Sequence, residues 1–165
     1  MKPYPTQDRL KELFEYKDGQ LVRKTKPSIR SCVGQVVGFF DKEGYLRVSV
    51  DKQQYLLHRL VYLLHYGEIP EFLDHIDGNR SNNKIENLRP ASKYQNILNS
   101  KLRSDNTSGV KGVCWNSRKR KWFAKIYVDK RPLHLGYYDD IELADLVVFE
   151  ARNKFHKEFA NHGTH

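Results

Sequence analysis

The 165-residue chain has 29 Lys/Arg against 20 Asp/Glu, a formal charge of +9, and 39% apolar residues. That length allows one domain or two small ones with modest cores, and the charge balance points to a polyanionic partner. No stretch approaches the ~20 apolar residues of a membrane span, and Cys32 and Cys114 are too far apart in sequence for a zinc knuckle or a disulfide framework. The first residues, MKPYPTQDRLKELFEY, place charges where a signal peptide needs an apolar segment. The expectation is a soluble, cytoplasmic α+β protein.

Thr6 or Asp8 can cap a short helix over 9–14, and Asp18-Gly19 is a turn followed by a strand over 20–23. Residues 24–31 are basic and irregular. Tyr45, Arg47 and Ser49 alternate with Leu46, Val48 and Val50, the pattern of a half-buried strand. After a turn at 51–54 the period changes. HRLVYLLHY, residues 58–66, puts Leu60, Val61, Leu63 and Leu64 on one helical face and ends at Gly67. His58 reads as a satisfied histidine, with a phosphate contact near the cleavage site as its functional alternative, and Arg59 reads as a phosphate contact.

Residues 72–99 carry the chemistry. Phe72-Leu73 leads into Asp74 and His75, and a polar loop with Asp77, Asn79, Asn82 and Asn83 follows, all four read as turn formers. Asn87 opens a second extended stretch, and Ser92 caps a helix carrying Asn96 and Asn99. An acid, an imidazole and carboxamides on so small a frame suit a hard-metal phosphodiesterase site. The bland reading is that these residues only make turns.

HRLVYLLHYGEIP followed by DHIDGNRSNNKIENLRPAS resembles the HNH nucleases, specifically the phage-type HNH homing endonucleases, over residues 10–100. The resemblance implies a β-hairpin and helix around one metal ion, the ββα-metal arrangement. It makes Asp74 the first metal ligand, His75 the general base, Asn87 the asparagine that holds the hairpin loop, and Asn96 the second ligand. Most relatives have histidine at the place of Asn96. A carboxamide oxygen there favours Mg²⁺ or Mn²⁺ over Zn²⁺. Asn99 is the alternative ligand.

From Lys101 to Arg131 ten Lys/Arg face two acids, whereas from Pro132 onward three face six. Residues 101–107 read as a linker. Strands are expected over 108–115, 122–128 and 133–138. A helix follows to about residue 156, its apolar face made by Ala144, Val147, Val148, Ala151 and Phe155. SGVKGVCW, KWFAKIYV, LHLGYYD and FHKEFA resemble the APETALA/ethylene-response-factor DNA-binding domain over residues 105–160, a domain that some HNH homing enzymes carry. In that family the sheet enters the major groove. Asn116, Lys125, Tyr127 and His134 would then face bases, and Lys111, Arg118, Lys119, Arg120, Lys130 and Arg131 would hold phosphates. Trp115 and Trp122 read as core.

The expected organisation is a nuclease domain over 1–100, a linker over 101–107 and a DNA-binding domain over 108–160. The expected activity is Mg²⁺- or Mn²⁺-dependent cleavage of double-stranded DNA, nicking or cutting both strands, with 5′-phosphate and 3′-hydroxyl ends. The enzyme would act as a monomer or a DNA-assembled dimer, with no obligate protein partner, in a bacterial host if phage-borne. The rival readings are a non-catalytic DNA-binding regulator that keeps the HNH frame as scaffold, and an RNA-directed protein.

Overall fold

A computed structural model describes residues 3–26 and 31–163, so part of the basic segment 24–31 lies outside the described residues. The chain divides into two compact units, Met1–Ala91 and Ser92–His165.

In the first unit, helix α1 (Gln7–Leu13) starts at Thr6, whose side chain accepts from the Arg9 amide. It runs into β1 (Phe14–Lys17), which pairs antiparallel with β2 (Gln20–Arg23); β2 also pairs with β3 (Val36–Val37). A second antiparallel sheet joins β4 (Phe39–Phe40), β5 (Leu46–Val50) and β6 (Gln53–Leu56). The β5–β6 hairpin turns on Asp51 and Lys52, both at positive φ, the backbone that a two-residue hairpin turn demands.

Helix α2 (Leu57–Tyr66) follows β6 without a break and ends at Gly67, in the left-handed region, whose amide returns to the Leu63 carbonyl. Its inward residues Leu57, Leu60 and Val61 meet Leu10, Leu21 and Val48 in one core. Each such side chain contributes about 1.5–3 kcal/mol by leaving water. Leu73 and Leu88 join the same core. They lie on β7 (Phe72–His75) and β8 (Leu88–Ala91), an antiparallel pair whose register sets Asp74 opposite Arg89 and His75 opposite Leu88. The core therefore fixes where these two short strands sit.

Gly19, at φ +85, has a specific task. A Cβ there would lie 2.9 Å from the Lys84 amide nitrogen and 3.1 Å from the Asn83 carbonyl carbon. The turn thus abuts the loop that precedes β8. Gly19→Ala is expected to destabilise the protein by about 2 kcal/mol, read as a lower urea midpoint, because neither backbone yields cheaply.

The second unit begins with α3 (Lys93–Leu98). The Ser92 side chain accepts from the Gln95 amide while Gln95 reaches back to the Ser92 amide, a complete capping box. Strands β9 (Val113–Asn116), β10 (Lys121–Val128) and β11 (Arg131–Tyr138) form an antiparallel sheet with β10 central. Helix α4 (Ile141–His156), capped by Asp140, covers one face. Ala124 and Ile126 of β10 meet Ala144, Val148 and Ala151 there, with Trp122 packed alongside.

Three expectations are corrected in this unit. Residues 108–112 are not strand: Gly109 and Gly112 have positive φ, and the Ser108 hydroxyl bonds the Val110 and Val113 carbonyls, which curls the chain before β9. Phe155 is 42% exposed, while Arg152 and His156 take the inward places on α4. Trp115 is 48% exposed on β9, an edge strand, and packs edge-on against Trp122. The division between units falls after Ala91, ahead of the expected linker at 101–107. The reason is that Lys111 holds the Leu98 and Ser100 carbonyls and Asn161 holds the Asn99 carbonyl, which ties α3 to the second unit.

Candidate active site

The two ends of the β7–β8 loop are braced by one asparagine. Asn87 accepts from the Asp77 amide at 3.1 Å and donates to Asp77 Oδ1 at 2.9 Å and to the Asn82 carbonyl at 2.8 Å. Burial acts to raise the Asp77 carboxyl, but donors from Asn82, the Asn79 amide and Asn87 together hold it below the usual range. A cross-braced polar loop of this kind fixes the strand that enters it.

That strand carries Asp74 and His75, which are 6% and 5% exposed. Asp74 Oδ2 accepts from Arg89 Nε at 3.2 Å and Nη2 at 3.0 Å, the cross-strand partner in the β7–β8 register. His75 Nε2 lies 3.2 Å from Asn83 Oδ1, and Asn83 Nδ2 donates to the Ser81 carbonyl at 3.0 Å. The second bond decides the first: with its NH₂ engaged, Asn83 can only accept from the ring. The imidazole therefore carries its proton on Nε2 and its lone pair on Nδ1. Burial pushes the His75 imidazole below its ordinary pKa, against a smaller opposite push from Asn83, so it is neutral at pH 7.

A second histidine completes the site. His58, on the first turn of α2, sets its ring 4.9 Å from that of His75, edge to face, with Tyr45 5.5 Å away. Its Nδ1 is buried without a hydrogen-bond partner among the described residues, which corrects the expectation of a satisfied histidine. Burial, then the charges of His75 and Arg59, bring its pKa down to about 3. The unfolded chain takes up this proton near pH 6.5 and the folded one does not. Stability is therefore full above pH 6.5 and falls as the pH drops toward 3. Urea unfolding is expected to show a loss of about 3 kcal/mol from pH 7 to pH 4, and His58→Phe is expected to flatten that profile.

Asn83 and His58 are the residues that sequence reasoning missed. Asn83 is 2% exposed and positions the imidazole, in addition to shaping a turn. No local pattern separates it from Asn79 or Asn82. The signal for His58 was its place where a hairpin becomes a helix.

Asn96 lies exposed on α3, in the second unit. Asn99 is buried at the end of that helix, bonded to Asn161. Among the described residues no group of three or more His, Cys, Asp or Glu could hold a metal ion, and no helix is long and apolar enough to cross a membrane.

The residues expected to touch DNA divide into two sets. Arg59 is committed internally, its guanidinium donating to the Pro70 and Glu71 carbonyls and lying over Tyr4. Lys111 donates to the Leu98 and Ser100 carbonyls, and burial beside Arg152 lowers its amine to about 8. Both are held by backbone carbonyls, a tie to the fold that the sequence did not announce. Asn116 closes the β9–β10 turn by accepting from the Lys119 amide. Arg118, Lys119 and Arg120 are exposed on that turn, and Lys130 and Arg131 are exposed at the β10–β11 turn. Between the turns, Phe123 meets His134 edge-on and Tyr137 at a tilt, and the Lys119 ammonium sits 3.8 Å over Tyr137. Lys125 lies near the exposed Tyr127 on the same strand. One helix-free sheet face thus carries aromatic rings flanked by two basic turns.

The HNH endonuclease family model matches residues 55–98, the span from the end of β6 through α3. Protein 3.8 of Escherichia phage T7 is 32% identical over 96 residues, covering 57% of this chain and 78% of that relative. This chain carries an HNH endonuclease domain. The HNH endonuclease L560 of Acanthamoeba polyphaga mimivirus is 42% identical over 84 residues, 49% of this chain and 44% of the relative. YosQ, a candidate HNH homing endonuclease from the SPbeta prophage of Bacillus subtilis (strain 168), is 38% identical over 61 residues, 36% and 35% of the two chains. The chain thus spans less than half of these last two relatives. No solved structure matches it. The HNH span contains α2, β7, the braced loop, β8 and α3, and so includes His58, Asp74, His75, Asn83, Asn87 and Asn96.

Proposed function

We propose that this chain is a homing-type endonuclease that hydrolyses phosphodiester bonds in double-stranded DNA with the aid of one divalent ion. The observation that carries the reading is the buried, neutral His75, held by Asn83 in the tautomer of a base and set next to Asp74 on a strand whose loop is pinned by Asn87.

In this reading His75 Nδ1 takes the proton from the attacking water. Asn83 keeps the ring in place, and Asn87 keeps the loop from carrying it away. Asp74 and Asn96 are the side chains that would hold the ion. Both offer oxygen donors, the set that Mg²⁺ and Mn²⁺ prefer, and a carboxylate with a carboxamide leaves most of the coordination shell to water and substrate. Bound there, the ion would supply Lewis-acid chemistry at the scissile phosphodiester. The products would be 5′-phosphate and 3′-hydroxyl ends. Incubating supercoiled plasmid with the protein and Mg²⁺ or Mn²⁺ tests this. Conversion to nicked or linear DNA is expected. DNA that stays supercoiled in both metals, yet shifts in a gel, would favour the non-catalytic regulator.

We assign DNA anchoring to the second unit, in the manner of an APETALA/ethylene-response-factor domain. Arg118, Lys119, Arg120, Lys130 and Arg131 contact phosphates, and Asn116, Lys125, Tyr127 and His134 lie toward the bases. Arg118→Ala combined with Arg120→Ala is expected to weaken binding to every sequence alike and to lower the slope of log K against log salt by about 2. An unchanged slope would remove these residues from the interface. Competition by double-stranded RNA should be weak, because its major groove does not admit such a sheet.

A further inference from the structure

A cavity of about 460 Å³ lies within the second unit. Tyr94, Ile97, Leu98 and Ile126 supply apolar wall, and the polar lining includes Arg152, Lys111 and His156 but no Asp or Glu. Arg152 is 2% exposed. Its Nη2 donates to the Lys111 carbonyl, while Nη1 is buried with no hydrogen-bond partner among the described residues. Asp145, two turns earlier on α4, acts on it only through space. An arginine so enclosed without a bonded counter-ion is unfavourable, and proteins normally pair such a charge.

Lys111 makes the imbalance larger. Lys111 is held against the same region by two backbone carbonyls. His156 donates from Nε2 to the Tyr127 carbonyl at 2.8 Å, which leaves the Nδ1 lone pair buried and without a hydrogen-bond partner among the described residues. Gly112 provides the room for the guanidinium. A Cβ there would lie 3.0 Å from Arg152 Nη2 and 2.5 Å from the Lys125 carbonyl oxygen. The Arg152 guanidinium, the room left by Gly112 and the nearby Lys111 ammonium thus form a built, electropositive pocket with an apolar wall, of a size that encloses small organic ligands.

We propose that this cavity binds a small organic oxyanion, its apolar body against Tyr94, Ile97 and Ile126 and its anionic group on Arg152 Nη1. Lys125, Tyr127 and Lys130, which the DNA-anchoring reading also uses, line it as well; the catalytic centre of the nuclease reading takes no part in the proposal.

Calorimetric titration of the full chain with phenyl phosphate, inorganic phosphate and phenol tests the proposal. Phenyl phosphate is expected to saturate a single site. Inorganic phosphate lacks the body and phenol lacks the charge, so each is expected to bind at least roughly tenfold more weakly. Arg152→Met is expected to weaken phenyl phosphate by a similar factor. Ile97→Trp, at an exposed rim position where folding is not at stake, is expected to do so by filling the mouth. Lys42→Ala, an exposed position outside the pocket lining, should leave the affinity unchanged. The proposal is overturned if phenyl phosphate gives no saturable heat, if the three probes bind alike, or if folded Ile97→Trp retains full affinity. Circular dichroism establishes whether Arg152→Met folds; if it does not, the probe series and Ile97→Trp decide.

Discussion

Replacing His75 with alanine is expected to lower the rate of plasmid cleavage by on the order of 10²- to 10⁴-fold while leaving DNA affinity unchanged. Removal of a general base takes away a group used only as the water is deprotonated, so binding keeps its contacts. The ring also packs edge-on with His58, so the variant's fold is checked by circular dichroism before rates are compared. Asn83→Ala gives a finer test. The Asn83 bond pushes the His75 pKa upward against the larger effect of burial. Removing the bond should therefore move the acid limb of the pH–rate profile to lower pH, and freer ring motion should lower the plateau. Equal rates for wild type and His75→Ala across pH 6 to 8 would end the case for this imidazole as the base.

Asp74→Ala is expected to abolish cleavage in Mg²⁺ and also to cost stability. Arg89, in the β7–β8 register opposite it, would lose its carboxylate partner in a site where both side chains are largely shielded. Breaking such a pair from one side costs about 3–5 kcal/mol. The two losses separate in a double variant. Asp74→Ala with Arg89→Met should regain most of the urea midpoint, because no charge is left stranded, yet remain inactive. Recovered cleavage in the double variant would mean that Asp74 serves the hairpin alone. Tightness of Mn²⁺ binding, followed by titration calorimetry, should fall in both variants.

Much of the first unit was legible because its signals are local. Asp18-Gly19 and the alternation over 45–50 announce hairpins, and the spacing of Leu60, Val61 and Leu64 announces α2. In the second unit, Ser92 announces the start of α3. The adjacency of Asp74 and His75 was plain, as was the entry of Asn87 into a second strand.

The parts that were not legible share one cause: a polar residue's burial depends on partners far along the chain. Asn83 looked like its neighbours in the loop until the fold set His75 beside it. Lys111 and Arg59 looked like surface cations until backbone carbonyls of Leu98, Ser100, Pro70 and Glu71 closed on them. Helical periodicity placed Phe155 inward, but Arg152 and His156 won those positions because each found a carbonyl to bond, at Lys111 and Tyr127.

Among the described residues the strand that carries Asp74 and His75 pairs with β8 alone, and a lone hairpin is barely stable in water. The rigidity of this pair is lent by amide and carboxylate contacts around Asn87 and Asp77, which a mild chaotrope reaches long before it invades the leucine-rich interior. Dilute urea should therefore produce a protein with native ellipticity and no turnover, an enzyme that falls silent well before it melts.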